Sequence, residues 1–297
     1  MRQSEEWHVP LSKEPMALDD PVLLTCAISG AVANRDQCPA IPYTPAEYAA
    51  EARRAVDEGA SMIHIHARTP DGTPSYEVDD FRAITEAITA EVDVVVNYST
   101  GAIGVPVDKR VAYLRELRPD VAALNMGSMN YAKYSRSRRD FVFSMVFANP
   151  FAEIVELLEA MNELGIKPEH ECFDLGHVGS LEPLIHKGVL HPPLHVSCVM
   201  GVLGGVPPTA RNLAAMVDNI PPGSHWGLIG VSRQQWTLVA AALALGGSVR
   251  VGLEDNFYLP DGGMARSNGD LVARARRMAE DAGRRVATVD EARRMLA

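Results

Sequence analysis

The sequence predicts an α/β protein, a single (β/α)8 TIM barrel with an N-terminal arm and an extra C-terminal helix. Three observations predict this fold: eight short apolar segments alternate with eight helical segments, no linker divides the chain, and no break in composition occurs along the 297 residues. An open doubly wound sheet is the alternative, but no GxGxxG follows the first strand. We expect the arm to cover residues 1–20 and the barrel domain to cover 21–297.

The first half of the chain supplies four strand and helix pairs. Apolar and β-branched runs predict strands over residues 22–29, 61–68, 92–100 and 121–127, and helical patterns cover 44–58, 78–90, 107–117 and 150–164. Thr44 is a good N-cap, Pro45 fits the first helical position, and Gly59 ends the helix. A long excursion over residues 128–149 separates the fourth strand from its helix.

The second half repeats the pattern. Strands are predicted over residues 171–176, 194–201, 225–232 and 248–255, and helices over 180–187, 209–218, 235–245 and 268–282. A short C-terminal helix follows, where Thr288 and Glu291 have the spacing of a capping box.

Composition excludes several classes of protein. The chain has 28 Lys and Arg against 38 Asp and Glu, a net charge of −10, so we expect neither nucleic acid nor an anionic membrane as a partner. The longest apolar stretch, residues 236–245, is about half the length of a bilayer span. The N-terminus has early acids and no apolar core, so we expect no signal peptide. Four cysteines without a CxxC pair indicate reduced thiols and a cytoplasmic location.

Barrel enzymes bind their substrates at the carboxyl ends of the strands, so the polar residues there are the candidates. His64 and His66 are two apart on a strand, and both rings therefore point into the barrel. Glu254 ends the eighth strand, which like the second flanks the first, so its carboxylate can meet the histidines across the mouth. Two histidines and one glutamate suit zinc and leave a coordination position open. The alternative is a strand-end acid that caps the following loop.

Arg250 shares the inward face of Glu254 by strand parity. An arginine inside a barrel needs anions around it, so it either forms a structural ion pair or acts on a carboxylate substrate, directly or through Asp255. Asp255 has the wrong parity for the lumen unless the strand has already ended.

The third strand closes with Ser99, Thr100 and Gly101. Two hydroxyl groups followed by glycine at a barrel mouth suit the binding of a carboxylate or an oxyanion. An ordinary helix N-cap is the alternative for this segment.

These residues belong to an ordered set of motifs. The motifs are Ser29-Gly30-Ala31, Gly59-Ala60-Ser61, His64-Ile65-His66 with Arg68, Tyr98-Ser99-Thr100-Gly101, Gly230-Val231-Ser232-Arg233-Gln234, Val249-Arg250-Val251-Gly252-Leu253-Glu254-Asp255-Asn256 and Ser267-Asn268-Gly269. From about residue 23 to residue 296, the chain resembles the β-keto acid cleavage enzymes.

The resemblance implies a zinc-dependent acyltransferase that converts a β-keto acid and acetyl-CoA into acetoacetate and a new acyl-CoA. It implies that His64, His66 and Glu254 bind Zn²⁺. It further implies that Ser99, with Thr100 and Gly101, holds the substrate carboxylate, and that Arg250 and Asp255 transfer the proton. In the family's chemistry, C2 is deprotonated and attacks the acetyl thioester, and CoA then cleaves the substrate at its own keto carbon. The resemblance also suggests a homotetramer.

Two departures from the family's type enzyme bear on the substrate. Val32 replaces a glutamate that suits an amino-bearing substrate, and Ala123 replaces a threonine near the end of the fourth strand. Both changes make the pocket less polar, so we expect a β-keto acid with a neutral, apolar tail.

CoA also requires local cations for its phosphates. Arg233 follows the seventh strand, where barrels often bind phosphate, and Arg138 lies in the basic excursion, which otherwise would be a solvated or subunit-contact segment. Two rival functions remain: another zinc enzyme on this scaffold (an amidohydrolase-like hydrolase or a metal aldolase), for which His177 and His195 are available, and a non-catalytic barrel that binds acyl-CoA or metal.

Overall fold

The computed structural model describes residues 18–297, in which eight parallel strands form a closed barrel. The strands in chain order are β1 Leu24–Ala27, β2 Met62–Ile65, β3 Val95–Ser99, β4 Val121–Asn125, β5 Met129–Ser135, β6 Asp140–Phe147, β7 Lys167–Cys172, β8 His195–Met200, β9 His225–Gly230 and β10 Ser248–Val251. Around the barrel the order is β1-β10-β9-β8-β7-β4-β3-β2, with β5 and β6 outside it. The closed ring confirms the predicted (β/α)8 fold and excludes the open sheet.

Helices follow the strands and pack outside them. They are α1 Pro45–Asp57, α2 Val78–Glu91, α3 Val107–Leu117, α4 Phe151–Leu164, α5 Leu175–Gly179, α6 Leu181–His186, α7 Ala210–Val217, α8 Gln235–Ala244, α9 Asn268–Asp281 and α10 Val289–Leu296. Thr44 caps α1 and Thr288 caps α10, each in a capping box with the glutamate three residues on. Reciprocal hydrogen bonds of this kind satisfy two of the backbone N–H groups that a helix start leaves unpaired.

Helix α10 closes the barrel at the amino ends of the strands. Its apolar face packs against residues at the start of β2, β3 and β4 and against the residue that precedes β1. This cluster contains Leu23, Met62, Val95, Val121, Ala292 and Leu296. Burial of these side chains stabilises the barrel floor, at roughly 1.5–3 kcal/mol for each large side chain. The carboxyl ends of the strands form the opposite, open end, where the site residues lie.

The structure differs from the sequence prediction at the fifth barrel strand. Strand β7 begins at Lys167 rather than at residue 171, and it ends at Cys172. Charged residues on its inward face and Pro168 lower its hydropathy, so the segment does not resemble a buried strand. The helix predicted over residues 180–187 is α6, and a short helix that was not predicted, α5, precedes it and begins where the strand was expected to end.

The excursion after β4 is a β-hairpin. Strands β5 and β6 pair antiparallel, with a register shift between Lys133 and Tyr134. The base of the hairpin packs against the barrel mouth through Met129, Tyr131 and Phe147, which join a cluster with Phe173 on the β7 side. The hairpin therefore forms a wall of the mouth as well as a protrusion from it.

Of the predicted N-terminal arm, only residues 18–20 are among the described residues. In residues 18–297, no helix combines the length and the apolar character needed to cross a bilayer.

Candidate active site

His64, His66 and Glu254 meet at the open end of the barrel, with one ligand atom from each within 4.8 Å of the others. The Nε2 atom of His64 is 3.7 Å from Oε2 of Glu254, and the Nε2 atom of His66 is 3.4 Å from Oε1 of the same carboxylate. Among residues 18–297 this is the one group of three or more His, Cys, Asp or Glu side chains arranged to hold a metal ion.

The donor set fits zinc. With metal–ligand bonds of about 2 Å, the ligands of a tetrahedral zinc lie about 3.3 Å apart, close to the separations seen here. Both ring nitrogens of His64 and Oε2 of Glu254 are buried without a hydrogen-bond partner. Burial, with the nearby Arg250 charge, lowers the pKa of His64 to about 3, so its ring is in the neutral form that a metal binds.

Two glycines allow Glu254 to reach the histidines. Gly30 follows β1 with φ +60, and a Cβ atom there would lie 2.6 Å from Cγ of Glu254. Gly252 has φ +140, and a Cβ atom there would lie 2.2 Å from the carbonyl oxygen of Ala27. Both positions need glycine because a side chain would be strained and would collide. Arg68 fixes the first loop by donating from Nε to the carbonyl of Gly30, at 2.8 Å.

The guanidinium of Arg250 is surrounded by three carboxylates. It donates to both oxygens of Asp255, through Nε at 2.9 Å and through an Nη atom at 3.0 Å. It also donates to Glu254 at 2.6 Å and to Glu171 at 3.1 Å. All three of its nitrogens therefore donate to carboxylates of the site. Strand β10 has ended at Val251, so the alternation of side chains along a strand no longer directs Asp255 away from the inside of the barrel.

The carboxylates differ in proton affinity. Burial raises the pKa of Asp255 to about 6, against the opposing effect of Arg250. Burial likewise raises the pKa of Glu171 to about 8. Burial also acts to raise the pKa of Glu254, but Arg250 and the two histidines outweigh it and hold that pKa well below its ordinary value. The site thus combines an ionised Glu254 with an Asp255 that can exchange a proton near neutral pH.

The end of β3 places its two hydroxyl residues, Ser99 and Thr100, differently. Ser99 is two residues beyond Asn97 on β3 and shares its inward face, and its hydroxyl accepts a hydrogen bond from the Gly101 N–H at 3.1 Å, which leaves its own proton free to donate. Thr100 instead donates from Oγ1 to the carbonyl of Ala123 at 2.6 Å and is buried. Its side chain therefore fastens β3 to β4. Asn125, at the end of β4, has its Nδ2 atom 3.0 Å from the position a Cβ atom of Gly101 would take.

The base of the hairpin forms an aromatic wall beside these groups. Phe147 lies 3.9 Å from the same Cβ position at Gly101. Burial raises the pKa of Tyr131, and the negative charges of Glu254 and Asp255 raise it further. The two rings contact each other edge to face, with centroids 5.9 Å apart.

The remaining predicted residues lie farther from this centre or at its rim. Val32 is in the loop after β1 and is 65% exposed, whereas Ala123 is buried in β4. Arg233 follows β9 and stacks on Tyr258, with 3.7 Å between its guanidinium carbon and the ring centroid. Arg138 is exposed in the turn between β5 and β6, and its backbone N–H bonds to Ser135.

The histidines that a hydrolase could have used do not join the metal-binding group. His177 lies in α5, where its Nδ1 accepts a hydrogen bond from the Phe173 N–H. His195 begins β8 and contacts the ring of His225 edge to face, with centroids 5.2 Å apart, toward the floor of the barrel.

Sequence reasoning missed two inward-facing carboxylates, Glu169 and Glu171: it placed the start of β7 after Glu169, and it put Glu171 at the first position of the strand rather than near its carboxyl end. Both side chains lie on the inner face of β7, where Glu171 accepts a hydrogen bond from Arg250. Polar residues at every second position, Lys167, Glu169 and Glu171, were the available signal of a strand with a polar inner face.

Comparison with known structures supports the fold. The chain is similar to a structure entitled "Apo structure of ObcA", with a TM-score of 0.74 and 20% identity over 87% of this chain and 65% of that one. At this identity the likeness extends to the fold alone.

Curated relatives are closer in sequence. A 3-keto-5-aminohexanoate cleavage enzyme of Fusobacterium nucleatum is 38% identical over 93% of this chain and 98% of its own. A 3,5-dioxohexanoate:acetyl-CoA acetone transferase of Paraburkholderia graminis is 35% identical over 95% and 97%. Residues 21–297 match the family described as beta-keto acid cleavage enzyme. The chain therefore belongs to the beta-keto acid cleavage enzyme family, as its motifs indicated.

Proposed function

We propose that the protein converts a β-keto acid and acetyl-CoA into acetoacetate and a new acyl-CoA, with a zinc ion bound by His64, His66 and Glu254. The observation that carries this proposal is the Asp255 carboxylate, held by Arg250 through two hydrogen bonds directly beside the three candidate ligands. A base held next to a metal-binding group at a barrel mouth suits proton removal from a carbon between two carbonyl groups.

The reaction begins with the substrate carboxylate anchored by the Ser99 hydroxyl and the polar groups around Gly101. The bound zinc would polarise the β-keto oxygen as a Lewis acid. Asp255 then accepts the proton from C2, and Arg250 keeps the carboxylate in position. The electron pair left at C2 attacks the acetyl carbonyl carbon, so a carbon–carbon bond forms and the carbon–sulfur bond of acetyl-CoA breaks.

The second half of the reaction uses the released CoA thiolate. It adds to the substrate's own keto carbon, C3, and the bond between C2 and C3 breaks. C2 takes back the proton from Asp255, which regenerates the carboxylate. Acetoacetate thus contains the acetyl group together with C1 and C2 of the substrate, and the tail leaves as acyl-CoA.

We infer that the tail is neutral and apolar. Val32 and Ala123 bring no charge to the mouth, and the wall on the side of β7 to β9 is apolar and aromatic, with Phe147 and Phe173 in its cluster. One relative is named for 3,5-dioxohexanoate, whose tail is also uncharged.

We place the CoA phosphates near Arg233 and Arg138. Arg233 lies directly after β9, at the carboxyl end of a strand where barrels commonly bind phosphate, and Arg138 lies in a turn that also contains Arg136 and Arg139. The family resemblance supports a homotetramer, and four free, buried cysteines agree with a cytoplasmic protein. Light scattering of the purified protein would test the assembly.

A labelling experiment tests the proposal. The protein is incubated with acetyl-CoA carrying ¹³C in its acetyl group and with a panel of β-keto acids, and products are analysed by mass spectrometry. We expect all label in acetoacetate and none in the new acyl-CoA, together with zinc in the protein by elemental analysis. Consumption of the keto acid without acetyl-CoA would favour a hydrolase instead, and binding without turnover would favour a non-catalytic barrel.

A further inference from the structure

Glu169 is a buried carboxylate that the proposed reaction does not use. It lies on the inner face of β7 and is 2% exposed. One oxygen accepts a hydrogen bond from the Ser197 hydroxyl and the other accepts one from Nδ2 of Asn97, each at 2.5 Å. A buried charge is costly unless it is hydrogen-bonded, so its presence below the site needs a reason.

The contact with Glu169 fixes the orientation of the Asn97 side chain. A carboxylate is only an acceptor, so the amide must present its NH2 group to Glu169, and the reverse orientation would place two oxygens against each other. The carbonyl oxygen of Asn97, Oδ1, is consequently turned away from Glu169. Oδ1 is buried and has no hydrogen-bond partner in the described residues.

His64 is the neighbour of Asn97 on the next strand. The two residues are register partners in the parallel pairing of β2 and β3, so their side chains point to the same side of the sheet, the inside of the barrel. His64 is 1% exposed, and both of its ring nitrogens lack partners. Its Nε2 atom is the one that lies 3.7 Å from Glu254. A neutral imidazole that gives the Nε2 lone pair to a metal carries its proton on Nδ1, and that N–H needs an acceptor.

We propose that Glu169 is a positioning residue for the metal centre: it turns the unpartnered Oδ1 of Asn97 toward the unpartnered ring of His64, so that in the zinc-bound protein Oδ1 accepts the Nδ1–H of His64 and keeps the Nε2 lone pair directed at the metal. This inference rests on the proposed zinc centre. Outer partners of this kind typically change metal affinity by about 10- to 100-fold when they are removed.

Zinc affinity, measured by competition with a chromophoric chelator, tests the proposal. We expect Asn97→Leu and Glu169→Leu each to weaken zinc binding by about 10- to 100-fold. Because Glu169 acts through Asn97, the double variant should bind zinc no more weakly than Asn97→Leu alone. Glu169→Gln should retain affinity to within a few-fold, since its amide oxygen still accepts from Asn97 and its NH2 group still reaches Ser197.

Ser197→Ala is the matched control, because it removes a hydrogen bond to the same carboxylate without altering Asn97. Equal zinc affinity in Asn97→Leu and Ser197→Ala would overturn the proposal. If the leucine variants do not fold, NMR of the histidine ring nitrogens in zinc-loaded wild type decides, since a proton on Nε2 of His64 would contradict it. A wild-type protein without zinc would instead contradict the proposed metal centre itself.

Discussion

Arg250 and Asp255 are joined by two hydrogen bonds of nearly equal length, 2.9 Å and 3.0 Å, one to each carboxylate oxygen. Such a paired contact fixes the plane of the carboxylate as well as its distance. The other donors of Arg250 contact Glu171 and Glu254. The arrangement therefore holds one carboxylate, Asp255, in a fixed plane beside a second, Glu254, that is directed at the histidines.

Asp255→Asn removes the proton acceptor while keeping the size of the side chain. We expect kcat to fall by about 10²- to 10⁴-fold, the range that general bases contribute, with little change in KM for acetyl-CoA. Steady-state assays of acetoacetate formation measure both constants, and zinc content serves as the control. A variant that keeps its zinc and more than a third of its kcat would show that another group removes the proton.

Gly30→Ala should displace Glu254 and reduce metal binding. The new methyl group would lie 2.6 Å from Cγ of Glu254, at a backbone φ of +60. Gly104→Ala is a matched control, because φ is +70 there and nothing lies within 4 Å of the added atom. Each change carries a backbone cost of roughly 1–2 kcal/mol. Elemental analysis should find less zinc than in wild type in Gly30→Ala but not in Gly104→Ala. Equal zinc in the two variants would show that the close approach of Gly30 to Glu254 does not matter for metal binding.

Buried histidines should make the protein unstable in acid. Burial lowers the pKa of His195 and of His225 to about 3, and that of His170 to about 4. The unfolded chain binds protons at these positions below about pH 6.5, and the folded chain does not. Stability is therefore complete above that pH and is lost as the pH falls toward 4, by up to about 1.4 kcal/mol per pH unit for each histidine.

His225→Gln isolates one of these contributions. His225 lies against His195, and Asp20, Glu169 and Arg284 also act on its charge. Urea unfolding of chelator-treated protein is measured between pH 7.5 and pH 4.5. The free energy of unfolding should fall less steeply with pH in the variant, because close to one proton fewer is taken up on unfolding. Parallel curves for variant and wild type would mean that His225 is protonated in the folded state.

Val32→Glu should shift the substrate preference toward an amino-bearing keto acid. Val32 is exposed at the mouth, and a carboxylate there would attract a positively charged tail. The ratio of kcat/KM for 3-keto-5-aminohexanoate to that for 3-oxohexanoate should rise by about tenfold, corresponding to about 1.4 kcal/mol. The prediction of an apolar tail would fail if the wild-type protein already turned over 3-keto-5-aminohexanoate faster than 3-oxohexanoate.

The hairpin turn should contribute to acetyl-CoA binding. Replacing Arg136, Arg138 and Arg139 together by alanine should raise KM for acetyl-CoA several-fold, with KM for the keto acid unchanged. In the matched control, three exposed arginines at the floor of the barrel are replaced by alanine, so that the same charge is removed far from the mouth. These are Arg285, Arg293 and Arg294. Equal KM values in the two triple variants would remove the turn from the site.

Strand parity and strand order were enough to predict much of the site. The spacing of His64 and His66 fixes their common face, and the neighbours of β1 in a closed barrel bring Glu254 to them. The family resemblance was confirmed over residues 21–297. Whether these residues bind zinc stays a prediction.

Parity could not predict the contacts that depend on loop geometry. Asp255 reaches Arg250 because Gly252 turns the chain out of the strand, and nothing in the alternation of residues shows this turn. The hairpin was not predicted because apolar residues lie on both of its faces, as Phe141 and Val142 are both exposed. Its pairing consequently lacks the usual alternation of apolar and polar residues.

The pairing of β1 with β10 has a consequence for synthesis of the protein. On the side of β1 that does not pair with β2, Leu24 to Cys26 find their partners in Val249 to Val251, so the ring cannot close until most of the chain has left the ribosome. Until then the nascent sheet has two unpaired edges, one of them β1, and such edges associate readily with other strands. Chaperones that shield β1 during translation should therefore matter more for the yield of native protein than for its final stability.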